Sequence, residues 1–183
     1  MATLYILGAG CSRNYNQSIS SVVGIRPPLN SDFFKIAKKV IDHYDMSFMF
    51  GPIPGLDHFT RNINRIYGYG HSTEDTTAYE DDRLNLEEVL THFYLEYEMF
   101  DKDIPFFNRS SRIQTLLELI AYVITESTRG PICNKHNILS SKINNGDIIW
   151  NFNYDTLMDN SLYYKNKFNE AGYKIRFNYI LEQ

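Results

Sequence analysis

Hydrophobic and polar positions follow several distinct rhythms along the chain, and each rhythm predicts an element. Thr3 to Leu7 is a short run of β-branched, aromatic and aliphatic residues that Gly8-Ala9-Gly10 cuts off, the pattern of a buried first strand. Asn30-Ser31-Asp32 then precede Phe33, Ile36, Ala37, Val40, Ile41 and Tyr44, whose three- and four-residue spacing predicts a helix with capping side chains ahead of it. Lys35, Lys38 and Lys39 fall on its other face, expected to be solvated surface rather than a phosphate site.

From about residue 46 to 82 the rhythm fades, and this stretch reads as an irregular insertion. Gly51-Pro52-Ile53-Pro54-Gly55 breaks regular structure, and a weak helical stripe (Leu56, Phe59, Ile63, Ile66, Tyr67) runs into Gly68-Tyr69-Gly70. Glu74, Asp75, Glu80, Asp81 and Asp82 follow without period, as in a mobile, hydrated loop. Order returns at Asn85, which with Glu88 heads a helix carrying Leu86, Val89, Leu90, Phe93 and Tyr97. A wide apolar arc between about Ser110 and Glu126 predicts a buried helix ended by Gly130-Pro131. Beyond the Asn144-Asn145-Gly146 turn, Asp147 to Phe152 reads as a second buried strand, Thr156 to Glu170 as a helix and Lys174 to Leu181 as a third strand. Strands separated by helices imply parallel crossovers. The fold class is therefore α/β: a Rossmann-like parallel sheet with flanking helices and a helical or irregular insertion, in a single domain over residues 1–183.

Composition narrows the function. With 43% apolar and 22% charged residues the chain is that of a globular protein, and a net charge of -4 gives no reason to expect direct nucleic-acid or membrane binding. No apolar run approaches the roughly 18 residues of a membrane span. Cys11 and Cys133 supply neither a disulfide framework nor a CxxC zinc clamp, so no metal is expected and a reducing, cytoplasmic setting is.

Two corners carry the candidate chemistry. A strand ending in Gly8-Ala9-Gly10-Cys11-Ser12 lets backbone amides approach an anion such as a pyrophosphate, although a plain tight turn explains two glycines equally well. A dehydrogenase fingerprint needs a third glycine where Arg13 stands, and no GKS or GKT follows for a phosphoryl-transfer loop. The second corner is Asn151-Phe152-Asn153-Tyr154-Asp155, where a strand hands over to a helix. Asn153 offers both a donor and an acceptor to ribose hydroxyls or a water, and Asp155 either accepts from a ligand amide or caps the following helix.

Together these corners resemble the sirtuin-like NAD-binding domain, in which a GAG-x-S segment and an Asn-x-Asp segment hold NAD between them. Gly24-Ile25-Arg26-Pro27-Pro28-Leu29 looks like the family's cofactor loop, and Leu86-Glu87-Glu88-Val89-Leu90 is similar to a helix of its bacterial branch. Protein-deacylating sirtuins carry paired CxxC zinc ligands and a TQNxD motif; here CxxC is missing and Phe152 replaces the glutamine. The chain is more similar to the bacterial sirtuin-like effector domains that hydrolyse NAD in anti-phage defence. That resemblance implies Asn153 as the catalytic residue, cofactor binding by Gly8, Ala9, Gly10, Cys11, Ser12, Asn153 and Asp155, NAD as substrate, and homo-oligomerisation.

The family's general base is a histidine downstream of the asparagine motif, and His43, His58, His71, His92 and His136 all precede Asn153. The chain is accordingly expected to be a C-terminally truncated piece, inactive alone, that needs a further region of the same protein. The competing expectation is a degenerate domain that senses NAD or ADP-ribose without cleaving it. A Rossmann oxidoreductase is the third. His136 is expected to stand exposed before a turn.

Overall fold

Two strands form the expected parallel pair. β1 (Leu4–Leu7) and β2 (Ile148–Asn151) align Leu4 with Ile148 and Leu7 with Asn151. Asp147 secures the start of the pair by accepting from the amides of Thr3 and Asn144, both at 2.8 Å. Parallel strands cannot be joined by a hairpin. Everything between residues 7 and 148 is therefore crossover, and the crossover holds most of the mass of the protein. The computed structural model describes residues 2–44, 53, 55–69, 77–101 and 112–168. Among them the architecture is mixed α/β with one two-stranded sheet, and the third strand expected at Lys174 to Leu181 lies outside them.

The crossover is helical. α1 (Phe33–His43), α2 (Leu56–Tyr67), α3 (Leu86–Glu96) and α4 (Arg112–Thr128) surround one apolar core in which Phe34, Phe59, Phe93, Leu116 and Val123 are sealed from solvent. Asn85 caps α3 as its position predicts, its side chain accepting from the Glu87 amide at 3.0 Å. The caps expected for α1 point elsewhere. Asp32 accepts from the Leu29 amide at 2.7 Å and pairs with Arg13, while Asn30 accepts from the Glu87 amide at 2.9 Å. These contacts pin the Pro27–Asn30 loop rather than the helix.

The insertion is more regular than its sequence suggests. α2 sends Leu56, Phe59 and Ile63 into the main core, and the turn at Thr77–Glu80 places Ala78 and Tyr79 there as well, Tyr79 bonding Thr60 through its hydroxyl at 2.9 Å. Flanking acids hide this short buried pair from a periodicity reading. Glu74, Asp75 and His71 lie outside the described residues.

α5 (Asn134–Lys142) was not expected, having only a weak apolar face, and it packs against α6 (Leu157–Tyr164). α6 stops well short of Glu170: Asn166 adopts a left-handed φ of 53°, and Lys167 turns back to donate to the final carbonyls of α5, Ser140 at 2.9 Å and Ile143 at 2.6 Å. Close approach also ties α4 to the loop after β1. A methyl group on Gly130 would stand 2.6 Å from the Tyr15 hydroxyl and 2.7 Å from the Gln17 carbonyl.

Neither strand is buried on both faces. Leu7, with Ile149 beside it, packs against Ile143, Met158 and Leu162, whereas Leu4, Ile6, Ile148 and Trp150 share the opposite, exposed face. No described element covers that face, and this is why the expectation of buried strands fails. Among the described residues no helix is long and apolar enough to cross a membrane.

Candidate functional site

Parallel pairing has a direct consequence for the site. Both strands run the same way, so both carboxyl ends emerge at one edge, and the register of Leu7 with Asn151 sets the glycine turn beside the Asn-Asp corner. Phe152 donates from its amide to the Leu7 carbonyl at 2.9 Å, extending the ladder into the corner. The Asn153 amide group then donates to the Ser12 hydroxyl at 3.1 Å, joining residues 141 positions apart.

A cavity of about 400 Å³ opens at this junction, within the usual range of small-molecule sites. Gly8, Ala9, Asn153 and Asp155 line it from the sheet side, Pro27, Pro28 and Leu29 from the pinned loop, and Leu86, Glu87 and Leu90 from α3. α4 closes it with Ile120, Ile124, Ser127 and Thr128, none of which the sequence marks as a site residue. Their signal was the change from apolar to hydroxyl residues at the end of the α4 stripe. A larger hollow of about 780 Å³ lies beside β2, around the Asn144–Asp147 turn, Trp150 and Phe168, and contains none of the predicted site residues.

The glycine turn is built differently from expectation. Gly8 has φ -121° and neither Gly8 nor Gly10 is left-handed, so an alanine could adopt the same backbone. A Cβ at either position would meet nothing within 4 Å. What the glycines provide is open approach to the backbone, not a special turn. The amides of Cys11, Ser12 and Arg13 are spent inside the turn on the carbonyls of Gly8 and Ala9. Those of Ala9 and Gly10 have no acceptor among the described residues; both residues are exposed, and Ala9 lines the cavity whereas Gly10 does not.

Ser12 is 1% exposed and reaches the cavity only through the asparagine it holds. Asn153 receives a second constraint from Asn151, whose side chain accepts from the Asn153 amide at 3.2 Å. Its Oδ1 is buried with no partner among the described residues. Asp155 serves the start of α6, its Oδ1 accepting from the Leu157 amide at 3.0 Å, and the residue also lines the cavity.

Cys11 sends its side chain away from the cavity, into the cluster under β1, where Sγ lies 3.3 Å from His136 Nε2. His136 is not exposed: it sits in α5 at 1% exposure. Burial pushes the Cys11 thiol up, with Asp155 and Cys133 adding to it, and burial pushes the imidazole down against the opposing charge of Asp155. Both shifts favour the neutral forms, the thiol and imidazole share one hydrogen bond, and Nδ1 is buried without a partner among the described residues. Such a pair ties the glycine turn to α5, and no histidine lines the cavity among the described residues. His43, His58 and His92 are exposed on their helices. No group of three metal-binding side chains occurs among the described residues.

Compared with known proteins, the chain matches no family model, no curated protein and no solved structure.

Proposed function

We propose that the chain is the NAD-binding domain of a sirtuin-like NAD glycohydrolase, which cleaves NAD to nicotinamide and ADP-ribose, or a cyclic relative, in bacterial anti-phage defence. The observation that carries this reading is the convergence of the Gly8-Ala9 turn and the Asn153–Asp155 corner on one cavity from opposite ends of the chain, fastened by the Asn153–Ser12 hydrogen bond beside it. A Rossmann-like sheet completed by further strands, and assembly with a C-terminal region or a second copy, belong to the same proposal.

The residues present fit such a guest. The free amide of Ala9, beside open space at Gly8, suits a phosphate oxygen, and the unpartnered Asn153 Oδ1 suits a ribose hydroxyl or a water. Cleavage passes positive charge onto the sugar as nicotinamide leaves. The carboxylates of Asp155 and Glu87 supply negative charge to the cavity, and Asn153, held by Ser12 and Asn151, positions the nucleophile.

The test is nicotinamide release from NAD by the intact protein, beside Asn153→Ala. The variant should lose activity on the order of a hundredfold, the effect of deleting one positioned polar group; undiminished release would defeat the proposal. No histidine lines the cavity among the described residues, which favours a second reading, an NAD- or ADP-ribose-sensing module that binds without turnover. Saturable binding with no release of nicotinamide would select it.

A further inference from the structure

The three lysines of α1 meet different fates. Lys35 pairs with Asp82, and Lys38 with Asp42 at 2.7 Å, so two of them are neutralised on the surface. Lys39 forms no ion pair or hydrogen bond among the described residues, and neither does the side chain of Arg26. Both line one groove of about 500 Å³ together with Arg13, Asn14 and Asn16.

Among the described residues no carboxylate lines this groove, and the one acid paired with its cations, Asp32, engages Arg13 from outside it. Unneutralised like charges on a shared concave surface repel one another, and an anion placed between them removes that cost. The side-chain amides of Asn14 and Asn16 carry no hydrogen bond among the described residues and add neutral donors to the same wall. The backbone also makes room for the cation. Gly24 has a left-handed φ of 76°, and a Cβ there would stand 3.1 Å from Lys39 Nζ.

We propose that this groove is a second site, for the phosphate or pyrophosphate group of a small molecule, with Arg26 and Lys39 as its principal contacts and Arg13 as a half-neutralised third. It shares no lining residue with the candidate NAD cavity. Arg13 connects the two through its other nitrogen, which donates at 3.1 Å to the carbonyl of Pro27, a residue of the cavity wall.

Inorganic pyrophosphate is the probe, titrated calorimetrically into the full chain at low ionic strength. Saturable binding should weaken on the order of tenfold for each cation removed in Arg26→Gln and Lys39→Gln, both exposed positions whose fold is checked by circular dichroism. It should also weaken with added salt and be unchanged in Asn153→Ala. Gly24→Ala, which crowds the ammonium, should reduce it too. No binding by the wild type, wild-type affinity in the Arg26/Lys39 double variant, or binding lost in Gly8→Ala instead, which would assign the anion to the NAD cavity, would each overturn the proposal. The result is independent of whether NAD is hydrolysed.

Discussion

The helical crossover and the two-stranded sheet use the same apolar residue types to opposite ends. In the helical body, rings such as Phe34, Phe59 and Phe93 are each 1% exposed and meet side chains from several elements. In the sheet, Ile6 and Trp150 are 63% and 54% exposed, and among the described residues only the reverse face is covered, by α5 and α6. Parallel sheets are ordinarily covered on both faces. The candidate site lies on the seam: α3 and α4 give its walls from the well-packed half, and Gly8, Asn153 and Asp155 reach it from the thinly packed one. A firm wall thus faces chemistry that a few specific polar contacts hold in place.

Truncation should expose the difference most strongly. Phe93→Ala is expected to cost about 3–5 kcal/mol in urea unfolding, whereas Ile6→Ala on the bare face should stay within about 0.5 kcal/mol. Equal costs would mean that the face is covered in solution and that the contrast is false.

Ser12→Ala tests the seam. It leaves the Asn153 amide group without its acceptor in a buried setting, so the loss should be about 1–3 kcal/mol, accompanied by weaker NAD binding. An unchanged unfolding midpoint would show that the two corners are held together by something else.

Acid should act through His136. Burial sets its folded pKa below the ordinary value of 6.5, so between the two values the unfolded chain takes up a proton that the folded chain refuses. Stability is therefore complete above about pH 6.5 and declines as pH falls through that window. His136→Gln should flatten this part of the stability profile, measured by urea unfolding from pH 7.5 to roughly 5.5; an unaltered slope would place the titrating group elsewhere.

Gly8→Ala should have the smallest effect on folding, within about 0.5 kcal/mol, because its φ is ordinary and its surroundings are open. The added methyl group nevertheless stands at the edge of the cavity. NAD binding measured by calorimetry should fall, so stability and binding would separate in one variant; a large unfolding penalty would return Gly8 to a purely structural role.

Much of this was legible in one dimension. The stripes of α1, α3 and α4 stand out because a helix repeats its buried face every three or four residues, and Asn85 marks its helix by the cap it forms. α5 and the Ala78-Tyr79 turn were not legible. Their buried residues are too few, and too closely surrounded by polar ones, to create a period. His136 was misjudged for the same reason, since its burial comes from α5 packing beside α6 and from Cys11, 125 positions away.

The chain's own order of residues determined the helices α1, α3 and α4, where the two strands break, and which types of chemistry stand at each break. It did so because local steric and hydrophobic preferences are encoded within a few positions. Tertiary structure alone decided that Asn153 meets Ser12, that Cys11 turns from the cavity to His136, and that Lys39 rather than Lys35 or Lys38 has no ion pair among the described residues. Each of these depends on strand direction, register or helix packing, quantities that join positions far apart and leave no local trace.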